Sequence, residues 1–234
     1  MSILELREPF SAWSHAIWLI LSFPATVILW RRCGEDRAKR LSLVVFGLSL
    51  SACYLGSALY HGVRVDKNRI DFLDRLDHVG IHLLIAGSYT PVAWNLLQRR
   101  WRWGTLAAVW TNTLLSSVLL LANIRLPRSL ATCEYLALGW GALFCYYEIA
   151  RTHPDRSLRT LIVGGVFYSI GALLNLMHWP VIWPGVVGSH EVFHLWVMAG
   201  SFAHFWFMLT VVVPIACAKR EWNVRVIAPV WTTH

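Results

Sequence analysis

Charge-free stretches recur along the whole chain, at residues 9–30, 41–63, 78–98, 103–124, 160–190 and 192–218. A further stretch, 129–147, carries one acid, Glu134. A helix rises about 1.5 Å per residue, so roughly 20 residues cross a hydrocarbon core about 30 Å thick. Each stretch is long enough to cross once. The stretch that starts at residue 160 is too long for one crossing, but Pro180, Pro184 and Gly185 interrupt it. Its helix is expected to stop near Trp179 and to be followed by an apolar interfacial loop. The pattern therefore predicts an all-α, polytopic membrane protein: one seven-transmembrane-helix bundle over residues 1–234, with spans at about 9–30, 41–61, 78–98, 103–124, 129–149, 160–179 and 191–217.

Composition agrees with the pattern. The chain is 56% hydrophobic and 15% charged, against roughly 45–50% and about 25% in soluble domains, so the excess apolar surface needs lipid. Trp101, Trp103, Trp179, Trp183 and Trp222 fall near the expected span ends, where an indole prefers the headgroup layer. Connections are short apart from a charged loop, Arg64 to Asp77, with four basic and four acidic residues. The first apolar run lacks a basic preamble and a small-residue cleavage pattern, which makes it a retained helix and argues against soluble secretion.

The formal charge of +8 could point to nucleic acid, but the basic residues sit in short clusters between apolar runs and form no groove-sized patch. They read as topology determinants. Arg31, Arg32, Arg37, Lys39, Arg40, Arg99, Arg100, Arg102, Arg151, Arg156, Arg159, Lys219, Arg220 and Arg225 share one side and make up fourteen of the 21 Lys and Arg residues. This bias predicts the N-terminus outside and the C-terminus in the cytoplasm. Cys33, Cys53, Cys133, Cys145 and Cys217 show no CxxC spacing, which argues against disulfides and a thiolate zinc cluster.

The polar residues within this apolar background are unevenly placed. His61 ends the second expected span, Asp77 precedes the third, and His190 and His194 open the seventh. An odd-even count puts all four on the N-terminal side of the membrane. Four-residue spacing places Ser57 with His61, and His190 with His194, on one helical face each. Three imidazoles could then meet around zinc, and three protein ligands with an open fourth position is the arrangement of catalytic sites. Asp77 would orient water or act as general base, and Ser57 would hydrogen-bond a ligand imidazole, the water or an oxyanion. An isolated HxxxH pair is more often an interfacial polar pair satisfied by water or backbone than a metal grip. His78 and His82 have the same spacing, so spacing alone does not choose between the pairs.

Ser57-Ala58-Leu59-Tyr60-His61, Asp77-His78-Val79-Gly80-Ile81, Ile85-Ala86-Gly87-Ser88-Tyr89-Thr90-Pro91 and His190-Glu191-Val192-Phe193-His194 follow one another in order. With Ser14-His15 and Gly164-Gly165-Val166-Phe167-Tyr168, they make the chain from about Glu8 to Pro214 resemble the hemolysin III branch of the progestin and adipoQ receptor family. The resemblance implies a seven-helix bundle with zinc on His61, His190 and His194, and with Ser57 and Asp77 in the pocket. His82 departs from the family pattern, where an aromatic residue is usual, and it reads with His78 as an interfacial polar residue. His15 and His204 read as polar contacts within the bundle, and His178 as interfacial. The resemblance also implies a bacterial inner (plasma) membrane, although adiponectin receptors place their N-terminus and zinc in the cytoplasm, opposite to the charge bias here.

Several functions follow from these residues. The resemblance to receptor and ceramidase families implies a zinc-dependent hydrolase of a lipid amide or ester, with Asp77 and Ser57 as its catalytic groups. The alternative is a non-enzymatic lipid sensor, receptor or membrane-homeostasis regulator in which zinc is structural. A membrane-damaging hemolysin comes third, because no amphipathic pore-forming segment separates the spans. A transporter or channel is weaker still, since Glu134 is the main charge within the spans. The partners expected are membrane lipids and a lipid-like substrate or ligand, with no nucleic acid.

Overall fold

The computed structural model describes residues 6–153 and 158–214. The end of the seventh expected span, Cys217, and the basic residues Arg156, Lys219, Arg220 and Arg225 lie outside the described residues. Among those described, eight α-helices follow in order: α1 Pro9–Arg32, α2 Arg37–Gly62, α3 Lys67–Leu96, α4 Arg99–Leu121, α5 Arg128–Trp140, α6 Ala142–Thr152, α7 Arg159–Leu176 and α8 Ser189–Phe207. The last continues into a π-helical turn, Met208–Val212.

Local chemistry sets several of these boundaries. Pro9 stands at the first turn of α1, where its missing N–H costs nothing, and Arg31 and Arg32 close the helix beside its exposed carbonyls. Asp36 caps α2 by accepting from the Lys39 amide at 3.1 Å, and Asp66 caps α3 by accepting from the Arg69 amide at 3.2 Å. That second cap corrects the sequence reading of Arg64 to Asp77 as a loop, because from Lys67 onward the segment is helical. Its charges ride the exposed first turns of α3.

Five helices, α1, α2, α4, α7 and α8 with its π turn, are each long and apolar enough to cross a membrane. α3 starts with a charged segment, and α5 and α6 are each too short alone. The latter two are joined by Gly141, which keeps right-handed helical dihedrals. Large apolar side chains such as Ile20, Phe23, Leu114, Leu115 and Phe202 point outward and stay exposed, as lipid-facing positions do and as a water-soluble surface of this extent would not. The chain is an all-α polytopic membrane protein.

α2 packs on α1 and α3, α4 packs on α3, and α7 packs on α8. Phe46, Leu43, Tyr54, Phe207 and Met208 are nearly solvent-free in the core between them. The approach of α3 to α2 depends on small residues. A Cβ on Gly80 would lie 2.8 Å from Cys53 Cα, and one on Gly56 would lie 3.1 Å from the Leu76 carbonyl oxygen. Close backbone contact through small residues is how membrane helices gain packing energy where lipid removes the hydrophobic drive.

Candidate metal centre

α2 ends where α8 begins, and this places His61, in the last turn of α2, opposite His190 and His194 in the first turns of α8. One ligand atom from each of the three rings lies within 4.8 Å of the others. Nε2 of His61 is 3.5 Å from Nε2 of His190, and the ring centroids of His190 and His194 are 4.3 Å apart. His61 and His194 are buried. Among the described residues this is the single group of three or more His, Cys, Asp or Glu side chains close enough to share a cation.

The segment before α1 orients the His61 ring. The Glu8 amide donates to the His61 carbonyl at 2.9 Å and the Arg7 amide to the Gly62 carbonyl at 3.3 Å, while the Arg7 guanidinium lies over the Tyr60 ring at 4.1 Å. Glu8 is thereby held with its Oε2 2.5 Å from Nδ1 of His61. The hydrogen bond with His61 holds the Glu8 carboxyl below its ordinary range, against the opposing effect of burial. A proton kept on Nδ1 leaves the Nε2 lone pair facing the other two histidines, which is the tautomer a metal ligand needs. The first turn of α1 reaches α8: Ser11 donates to Glu191 Oε1 at 3.1 Å, and Glu191 Oε2 accepts from the Gly188 amide at 2.9 Å.

The donor set fits a divalent ion such as zinc. Nδ1 of His194 is buried with no hydrogen-bond partner, as are both nitrogens of His15, whose ring meets that of His194 edge-on at 4.2 Å. Buried polar atoms are rarely left in this state. Three neutral imidazoles are a donor set that zinc accepts.

Ser57 lies one turn before His61 and is buried, and Asp77 is nearly so. The Ser57 hydroxyl hydrogen-bonds the Asp77 carboxyl, and the His61 and His78 rings lie near it. The close α2–α3 contact at Gly56 and Gly80 produces this neighbourhood. Ser57, Asp77 and the three histidines line one cavity of about 690 Å³ whose remaining wall is largely apolar, within the range of small-molecule sites.

The competing pair on α3 has other partners. Nδ1 of His78 donates to the Asp74 carbonyl at 2.8 Å. His82, read from the sequence as interfacial, is instead only 2% exposed and faces Glu134 across the bundle. His204 packs on α7, where a Cβ on Gly164 would collide with its ring. Sequence reasoning did not identify Glu8. Its signal is an acid directly before the first apolar run, which on its own reads as a helix terminus.

Comparison with known proteins adds lineage to this geometry. The family model described as "Haemolysin-III related" matches residues 5–205. Hemolysin-3 of Bacillus cereus is 30% identical over 212 residues, covering 90% of this chain and 94% of that protein. The Hemolysin-3 homolog of Bacillus subtilis is 29% identical over 205 residues, covering 87% and 93%. The heptahelical transmembrane protein ADIPOR1 of Oryza sativa is 32% identical over 180 residues, covering 69% of this chain and 47% of that protein.

Proposed function

This chain belongs to the haemolysin-III-related family, the hemolysin III branch of the progestin and adipoQ receptor family, and from that premise we propose that it is a zinc-dependent intramembrane hydrolase of a lipid amide or ester. The supporting observation is the placement of three imidazoles, a carboxyl and a hydroxyl on the wall of one largely apolar cavity. His61, His190 and His194 would hold the ion. Zinc at such a position supplies Lewis acidity toward a carbonyl and toward water.

The chain's own groups do the rest. Glu8 keeps the proton of His61 on Nδ1, so the ring's Nε2 stays available. Asp77 is the carboxyl that Ser57 hydrogen-bonds, and it takes up the proton of the attacking water. Ser57 holds Asp77 in place or donates toward the developing oxyanion. The apolar wall excludes bulk water and accepts an acyl chain from the bilayer.

The direct test is release of free fatty acid from long-chain N-acyl and ester lipids by the purified chain in lipid nanodiscs with zinc. Turnover that a chelator removes and zinc restores supports the reading, and no turnover on either class removes it.

A second reading, a lipid sensor with structural zinc, has one observation in its favour. α2 packs on α1 and α3 whereas α8 packs chiefly on α7, so an ion on His61, His190 and His194 would tie together helices with little direct contact. In that case lipid binding would bias how the two groups of helices pack.

A further inference from the structure

Away from the histidine triad, the same cavity wall carries a second polar cluster contributed by α3, α4 and α5. Glu134 of α5 lies at its centre. Its Oε1 accepts from the Ser116 hydroxyl at 2.7 Å and from the Asn112 side-chain amide at 3.3 Å, both on α4. The same oxygen is 3.3 Å from Nε2 of His82 on α3. The Thr113 hydroxyl donates to the His82 carbonyl at 3.1 Å and fixes α4 against α3 beside the cluster.

Hydrogen-bond logic sets the charges. Nδ1 of His82 lies 3.1 Å from the His78 carbonyl oxygen, an atom that only accepts, so Nδ1 carries a hydrogen. Nε2 lies 3.3 Å from Glu134 Oε1, a contact that holds one proton between the two atoms. With that one proton shared, the His82–Glu134 pair carries no net charge, whichever atom holds it. Charged groups within membrane segments are costly and persist mainly where they face a cavity and serve function.

Among the described residues every hydrogen bond to Glu134 ends on Oε1. The side chain lines the cavity and is 20% exposed, so Oε2 is the acceptor offered to whatever occupies that space. We propose that Glu134 Oε2 is a subsite for a neutral hydrogen-bond donor, a hydroxyl or amide N–H, on a single-chain amphiphile. The inference rests on the reading of the cavity as a lipid chamber. A neutral donor is favoured because His82 already balances Glu134, and an ammonium group would add an uncompensated charge to an apolar wall. Ile85, Leu119, Leu120 and Leu136 line the same space and would cover the alkyl chain. The substrate class narrows to lipids that carry a hydroxyl or N–H apart from the carbonyl held at the triad.

The test uses the full chain in lipid nanodiscs and compares dodecan-1-ol with 1-methoxydodecane at equal bilayer concentration, with affinity read from thermal stabilisation. A hydrogen bond to a charged group corresponds to a preference for the alcohol of about 10- to 100-fold. Glu134→Gln, which replaces Oε2 by a donor, is expected to bring the two probes within about twofold. Gly104→Ala, at a position on α4 where a Cβ meets nothing within 4 Å, is expected to keep the preference. Infrared difference spectra of the wild-type chain supply a readout independent of any variant's folding, since the alcohol and not the ether should shift the carboxylate stretch.

Equal affinity of the two probes for the wild type, a preference retained in Glu134→Gln, or an unmoved carboxylate band overturns the subsite. Dodecylammonium binding more tightly than the alcohol overturns it too. Stabilisation by neither probe overturns the chamber and the subsite together, and zinc content in the same samples reports separately on the triad.

Discussion

The Glu8 carboxylate meets Nδ1 of His61 at 2.5 Å while Nε2 of the same ring faces Nε2 of His190 at 3.5 Å. One imidazole is thus held on its outer edge by an acid from the start of α1 and turned inward on the other. Partners that orient a ligand imidazole typically change metal affinity 10- to 100-fold when removed. Glu8→Gln is expected to weaken zinc binding by about that factor while leaving about one zinc per chain at saturation. Competition with a chromophoric chelator measures it, and an affinity equal to wild type would show that Glu8 does not orient the ligand.

The triad itself makes a stoichiometric prediction. His190→Ala removes the residue that faces His61, so the purified protein should fall from about one zinc per chain to near none. Inductively coupled plasma mass spectrometry on wild type and variant decides the matter. An unchanged metal content would remove the centre altogether.

Removing the ion should also loosen the bundle, because α2 and α8 carry the ligands and pack chiefly on other helices. An ion present at about 100 times its dissociation constant stabilises the folded state by about 2.7 kcal/mol. For a chain of this size that corresponds to a melting temperature about 5–10 °C lower after chelation. Differential scanning fluorimetry with and without chelator, followed by zinc return, reads the shift, and a reversible loss of this size supports an ion that bridges the two helices.

Asp77 separates chemistry from architecture. Asp77→Asn keeps size and hydrogen-bonding beside Ser57 but removes the base, so zinc content should be retained while lipid hydrolysis falls by about 10²- to 10⁴-fold. Turnover equal to wild type in the zinc-replete variant would take the base assignment away from Asp77.

The helices were legible in the sequence because lipid leaves the backbone few alternatives and apolar length is read directly. The start of α3 was not, because its charges resemble those of a loop and the Asp66 cap that turns them helical is one short contact. Four-residue spacing and an odd-even count put His61, His190 and His194 at one depth, but His78 and His82 share that spacing and side, and only the resemblance to the family chose among them. What spacing does not give is rotation of one helix about another. Glu8 lies 53 positions from His61 and Glu134 lies 52 from His82. Both pairs depend on which face each helix turns inward, and nothing local to either residue marks its partner.

The α2–α3 contact is the last link between sequence and site that can be tested, since it sets Asp77 beside Ser57. A Cβ at Gly80 would sit 2.8 Å from Cys53 Cα, whereas one at Gly104 on α4 would meet nothing within 4 Å. Gly80→Ala should therefore push the two helices apart and cost about 1–3 kcal/mol. Gly104→Ala should instead be neutral or slightly stabilising, by up to about 1 kcal/mol, since alanine favours the helix. Thermal unfolding of both variants in the same nanodiscs gives the comparison. If separation of the helices also moves Asp77 from Ser57, Gly80→Ala should lose hydrolysis well beyond its loss of folded fraction while keeping zinc, because His61, His190 and His194 lie on α2 and α8. Matched stability of the two alanine variants would show that the tight contact at Gly80 is not what holds α3 in place.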